Sequence, residues 1–167
     1  TGYALDPFLD PNLFSALKIE NYINDNRSDI CNFSSLKSVI KSSEPEIVIH
    51  MAAQSLVRES YMDPVQTYAT NVMGTVNLLQ VARSCDSVRV ILIITSDKCY
   101  ENKEIDYAYT ESDPIGGHDP YSSSKGCVEV VTSAFRRSFF ETGSLVAISS
   151  ARAGNVIGGG DWAKDRL

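Results

Sequence analysis

The chain has 167 residues, 43% of them hydrophobic, and a formal charge of −6 from 21 acidic and 15 basic side chains. That size and apolar content suit one core, and nothing in the composition points to disorder or repeats. The negative balance argues against a nucleic acid or an anionic membrane as partner, and no apolar run approaches the roughly 20 residues that span a bilayer.

Glu46-Ile47-Val48-Ile49-His50-Met51 is short, β-branched and nearly continuous, as a strand buried on both faces of a parallel sheet should be. Small residues follow it: Met51-Ala52-Ala53-Gln54-Ser55 lets a backbone approach a flat ligand. The spacing then predicts a helix from about Val65 to Ser84, where Tyr68, Val72, Val76, Leu79 and Arg83 return every three or four residues. Val88-Arg89-Val90-Ile91-Leu92-Ile93-Ile94 is a second strand, followed by a hydroxyl, a carboxylate and an ammonium in Thr95-Ser96-Asp97-Lys98. A second helix is predicted from Tyr121 to Thr142, then a third strand, Ser144-Leu145-Val146-Ala147-Ile148-Ser149, and after it Arg152-Ala153-Gly154-Asn155. Strand, helix, strand, helix, strand in this order implies right-handed crossovers and a doubly wound α/β parallel sheet, the Rossmann arrangement.

In such sheets the ligand binds beyond the carboxyl ends of the strands, which is where the polar segments fall. Each alone reads as an ordinary turn or helix cap. Together they converge on one edge beside Tyr121-Ser122-Ser123-Ser124-Lys125, in which a tyrosine four residues ahead of a lysine puts both on one helix face. In isolation that pair is a surface tyrosine and lysine at chance spacing; at this edge it makes a catalytic base. A phenol titrates near ~10, so service as a base around neutrality needs a shift of about 3 units, or roughly 4 kcal/mol. A neighbouring ammonium supplies about one to three of those units at ~4–6 Å, and a second positive charge, such as an oxidised nicotinamide, supplies the remainder.

At this point the sequence resembles the extended short-chain dehydrogenases/reductases, and within them the sugar-nucleotide dehydratases. Asp29-Ile30 looks like the pair that contacts adenine there, Met51-Ala52-Ala53-Gln54 like the nicotinamide-cofactor loop, and Asn71-Val72-Met73-Gly74-Thr75-Val76-Asn77-Leu78-Leu79 like the central helix. Thr95-Ser96-Asp97-Lys98-Cys99-Tyr100-Glu101-Asn102 and Gly154-Asn155-Val156-Ile157-Gly158-Gly159-Gly160-Asp161-Trp162 resemble the CDP-glucose branch rather than the dTDP-glucose branch, whose strand end carries a glutamate where this chain has Lys98. Thr1-Gly2-Tyr3-Ala4-Leu5-Asp6 looks like the family's second strand, with Asp6 near the place where an acidic residue meets the adenosine ribose.

The resemblance implies NAD as cofactor and a nucleotide-sugar of the CDP-glucose type as substrate. Tyr121 would take the proton of the sugar C4 hydroxyl, with Ser96 on the same oxygen and Lys125 lowering the phenol pKa and binding the nicotinamide ribose. Asp97 would protonate the departing C6 hydroxyl, and Lys98 would assist proton removal at C5. Asn155 would hold the nucleotide-sugar, with Ser55 also on the substrate side, and Arg166 would reach the diphosphate. One departure stands out: no glycine-rich turn follows a strand near the start, where the family holds the cofactor pyrophosphate on a helix N-terminus. The expectation is therefore one partial NAD-binding domain over 1–167, an internal fragment whose sugar-binding part is not included.

Cys31, Cys85, Cys99 and Cys127 are scattered, as reduced thiols of a cytoplasmic protein would be. His50 and His118 have no second ligand at suitable spacing, so no metal site is expected. Gly158-Gly159-Gly160 lacks the lysine and hydroxyl of a P-loop and reads as a flexible link. Ser122, Ser123 and Ser124 read as helix N-terminal residues, and Cys99 and Cys127 as packing. An epimerase would share Tyr121, Lys125 and the cofactor without needing an acid to expel a hydroxyl, and a non-catalytic dinucleotide-binding module would need no base. Self-association into a homo-oligomer is left open.

Overall fold

The computed structural model describes residues 1–141 and 143–163. In chain order the elements are β1 (Gly2–Ala4), α1 (Leu13–Ala16), β2 (Asp25–Arg27), α2 (Phe33–Ser43), β3 (Ile47–His50), α3 (Val57–Met62), α4 (Pro64–Tyr68), α5 (Gly74–Ala82), β4 (Val90–Ser96), α6 (Pro120–Phe135) and β5 (Ala147–Ala153). Every strand pair is parallel: β1 with β2, and β3–β4–β5 in that order. This is the α/β arrangement expected from the alternation of runs and periods, with the helices as crossovers.

The core lies between the sheets and the helices. Leu36 and Ile40 of α2, Leu78, Leu79, Val81 and Ala82 of α5, Ile91 and Ile93 of β4, Val128 of α6 and Ile148 of β5 form one buried cluster, with Tyr3 and Val48 packed against it. Only the central strand approaches burial on both faces. Ile47 and Ile49 of β3 are 63% and 55% exposed, which corrects the expectation of two-sided burial for that run. Successive side chains alternate faces, and among the described residues the face bearing Ile47 and Ile49 is not covered.

Two strands run further than their aliphatic stretches. Pairing of β4 with β5 continues through Thr95↔Arg152 to Ser96↔Ala153, so Thr95, Ser96, Arg152 and Ala153 lie within strands instead of following them. The long helix predicted from Val65 is three pieces: α4, a π-helical turn over Ala69–Met73, and α5. α6 likewise gives way to a π-helical turn at Arg136–Phe140. The start of α6 follows from local chemistry, since Asp119 caps it by accepting the Ser122 N–H at 2.9 Å and Pro120 occupies its first turn. No helix among the described residues is long and apolar enough to cross a membrane.

Candidate active site

α6 carries the reacting pair proposed from sequence. Tyr121 and Lys125 are both buried, and the helix packs against β4 and against the turn Asp97–Cys99 that follows it. Lys125 Nζ donates to the Ile94 carbonyl at 3.2 Å, and burial pushes its pKa below the usual lysine range. An ammonium has three donors, and that carbonyl is the acceptor the described structure gives it. The remaining donors suit a hydroxyl-rich ligand such as a ribose.

Ser96 is buried and donates to Asp97 Oδ1 at 3.1 Å, while its oxygen accepts the Lys98 N–H at 3.2 Å. Its hydroxyl proton is thus directed at Asp97, and a substrate oxygen has to compete for it. Lys98 Nζ stands 3.7 Å from Asp97 Oδ1, with both side chains substantially exposed, at 42% and 55%. An exposed pair of this kind is worth at most about 1 kcal/mol, so both groups remain available to other partners. Parallel pairing of Ser96 with Ala153 brings Gly154 alongside, where an added Cβ would lie 3.7 Å from Asp97 Oδ2. Exposed Asn155 follows it directly, so three of the expected segments do share one edge. A cavity of about 620 Å³ opens there, lined by Asp97, Lys98, Tyr100, Tyr109, His118 and Asp119 among others. A larger hollow of about 790 Å³ lies along β5, lined by Glu129 and Arg152; Tyr121 and Lys125 line neither of the two.

The loop after β3 is tied to the same helix. Gln54 N–H donates to Asn71 Oδ1 at 2.8 Å, and Asn71 Nδ2 donates to the Gln54 carbonyl at 3.0 Å and to Ser124 Oγ at 2.8 Å. Ser124 Oγ donates in turn to the Tyr121 carbonyl at 2.7 Å. Asn71 sits in the π-helical turn, a distortion frequent at functional sites. Ser124 is therefore a buried bridge between Asn71 and Tyr121 rather than a simple N-terminal helix residue, a role visible only once the two helices meet. Ala52, Ala53 and Ser55 are partly buried in this loop and Met51 is 71% exposed.

The proposed adenosine contacts are more dispersed. Asp6 is exposed after β1. The Asp29 carboxylate accepts the Cys31 N–H at 2.8 Å and its carbonyl accepts the Tyr3 hydroxyl at 2.9 Å. Ile30 turns into the core against Gly74, where an added Cβ would lie 2.6 Å from Ile30 Cγ2. Arg166 lies outside the described residues.

His50 is buried against Thr75 Oγ1 at 3.0 Å, and that hydroxyl gives its proton to the Asn71 carbonyl at 2.6 Å, which leaves His50 Nε2–H as the donor between them. Burial, followed by the Lys125 charge, lowers its pKa to about 4. Above about pH 6.5 the group is neutral in both folded and unfolded chains. Between that pH and about 4 the unfolded chain takes up a proton that the fold refuses, so stability should fall with pH by up to about 3 kcal/mol. Urea unfolding across this window should give a flatter slope for His50→Gln than for the parent; equal slopes would remove His50 as the cause. No cluster of metal-ligating side chains occurs among the described residues, all four cysteines are free, and burial raises Cys99 to about 11, which suits packing rather than nucleophilic chemistry.

The parallel α/β fold with a buried tyrosine–lysine helix beside its strand ends defines a dinucleotide-binding type of architecture. Residues 12–154 match the family model described as GDP-mannose 4,6 dehydratase, and the chain belongs to that family, one of the sugar-nucleotide dehydratases its motifs resemble. It is 52% identical over 170 residues to CDP-glucose 4,6-dehydratase of Salmonella typhimurium, an alignment covering 99% of this chain and 47% of that protein. It is 28% identical over 120 residues to dTDP-glucose 4,6-dehydratase of Haemophilus influenzae, covering 66% and 36%. The solved structure of a DesIV double mutant, a dTDP-glucose 4,6-dehydratase from Streptomyces venezuelae with NAD and DAU bound, matches with a TM-score of 0.68 at 26% identity, over 81% of this chain and 40% of that one. Pal from Bacillus thuringiensis matches in fold with a TM-score of 0.74 at 19% identity, over 90% and 47%. The chain spans about half or less of the length of the curated relatives it matches.

Proposed function

We propose that this chain is the NAD-binding part of an enzyme that converts CDP-glucose to CDP-4-keto-6-deoxyglucose with loss of water. The observation that supports this reading is the packing of the helix bearing buried Tyr121 and Lys125 against β4 and the turn bearing Asp97 and Lys98, in a chain 52% identical to a CDP-glucose 4,6-dehydratase. An epimerase needs the first pair but has no use for an acid to expel a hydroxyl.

NAD, when bound, supplies the hydride acceptor for sugar C4 and the donor that returns hydride to C6. Lys125, with donors to spare, is suited to the ribose hydroxyls, and the small residues Ala52 and Ala53 with Gln54 and Asn71 to the nicotinamide side. Asp6 and Asp29 are candidates for the adenosine end, with the Ile30 backbone beside them. Tyr121 accepts the proton of the C4 hydroxyl, and Ser96 hydrogen-bonds the same oxygen. The C4 ketone acidifies the C5 hydrogen; Lys98 assists removal of that proton, and Asp97 serves the proton transfer to the C6 oxygen, which departs as water. Ser55, Asn155 and Arg166 are proposed to hold the nucleotide-sugar.

The pyrophosphate has no equivalent support among the described residues, where no glycine-rich turn opens a helix behind β1. The 167-residue chain by itself should therefore bind NAD far more weakly than the full-length protein. Calorimetric titration showing micromolar binding by the isolated chain would contradict this.

A further inference from the structure

The dehydratase reading leaves unused one buried ionisable group on the helix that carries its base. Tyr121, Lys125 and Glu129 follow one another at four-residue spacing and share a face of α6. Glu129 is 7% exposed, a burial that a carboxylate tolerates only when it is well supplied with donors. Three reach it: the Thr95 hydroxyl on Oε1, the Ser150 hydroxyl on Oε2 at 2.9 Å, and the Arg152 guanidinium on Oε2 at 3.1 Å. Burial alone would raise its pKa, but the bonds from Arg152, Thr95 and Ser150 outweigh that and hold it below the usual carboxylate range. Arg152 is fixed in turn, stacked 4.8 Å over the Tyr100 ring.

Thr95 is the middle one of three consecutive β4 residues that bond α6 or open the turn after the strand. The carbonyl of Ile94 holds Lys125 Nζ, the hydroxyl of Thr95 donates to Glu129, and Ser96 opens the turn bearing Asp97 and Lys98. We infer that Glu129 is a positioning residue, which clamps the end of β4 to α6 through Thr95 and so sets Lys125 and Ser96 relative to Tyr121. The roles of those three groups rest on the dehydratase reading; the clamp does not. If Glu129 merely stapled α6 to the sheet, Ser150 and Arg152 of β5 would serve, and losing the Thr95 hydroxyl would matter no more than losing the Ser150 hydroxyl.

Thr95→Val and Ser150→Ala each remove one donor to the same carboxylate, and should be compared in the full-length protein with CDP-glucose, below the melting temperature of every variant. A displacement of about 1 Å can cost up to ~100-fold in rate. Thr95→Val should therefore lower kcat at least about tenfold with KM within about threefold, Thr95→Ser should restore it, and Ser150→Ala should stay within about threefold of the parent. Backbone amide exchange over residues 95–98 reads the clamp without turnover, and should accelerate about tenfold in Thr95→Val but not in Ser150→Ala. Equal kcat for the valine and alanine variants would overturn the positioning role. Unchanged exchange in Thr95→Val would overturn the clamp itself. A parent that leaves CDP-glucose untouched while showing the expected exchange pattern would instead count against the dehydratase reading and leave the clamp standing.

Discussion

Tyr121→Phe in the full-length protein should abolish dehydration, with kcat lowered by ~10²–10⁴, while NAD affinity stays within a fewfold. The reasoning is local. Phenylalanine keeps the ring that fills the buried first turn of α6 and removes only the hydroxyl. Lys125 keeps its hold on the Ile94 carbonyl, and the Asn71–Ser124 bridge ends on the Tyr121 carbonyl rather than its side chain. A variant retaining more than about a tenth of the parent rate would show that Tyr121 is not the base, because general-base help is worth more than that.

Asp97→Asn should separate oxidation from elimination. Tyr121, Lys125 and Ser96 are intact in this variant, so the C4 alcohol should still be oxidised, whereas loss of the C6 hydroxyl should stall for want of a proton donor, lowering formation of the 6-deoxy product by ~10²-fold or more. Rapid quenching with borodeuteride should then trap a C4-labelled sugar that still carries its C6 oxygen, while a variant forming product at the parent rate would remove Asp97 from the acid role. Lys98→Ala bears on the same step. Its ammonium lies 3.7 Å from Asp97 Oδ1, a geometry that also fits an ion pair that only orients the carboxylate. Exchange of solvent deuterium into C5 distinguishes the two: slowed exchange in the alanine variant marks Lys98 as the proton acceptor, and exchange at the parent rate leaves it as a partner of Asp97.

The first two aliphatic runs were legible because β-branched residues are dense in them and the helical period between them is regular, whereas the third, Ser144–Ser149, coincides with β5 only over Ala147–Ser149. Their ends were not, because Thr95, Ser96 and Arg152 are polar by composition yet lie in strands through pairing of β4 with β5. β2, Asp25-Asn26-Arg27, carries no apolar signal at all; its strand character comes from pairing with Gly2–Ala4. The Tyr121–Lys125 spacing was readable as chemistry since one helix turn suffices to join them. Glu129 was not, because a charge between Val128 and Val130 looks like a solvated position until Thr95, Ser150 and Arg152 fold around it. The link from Gln54 through Asn71 to Ser124 depends on tertiary contact in the same way.

The most direct measurement uses CDP-glucose deuterated at C4 with the full-length protein, the product being read by mass spectrometry and NMR. Internal hydride transfer with elimination should give a product lighter by one water, with the deuterium moved from C4 to C6 and a solvent hydrogen at C5. A C4 epimer of unchanged mass, or a 6-deoxy product without deuterium at C6, would contradict the dehydratase reading.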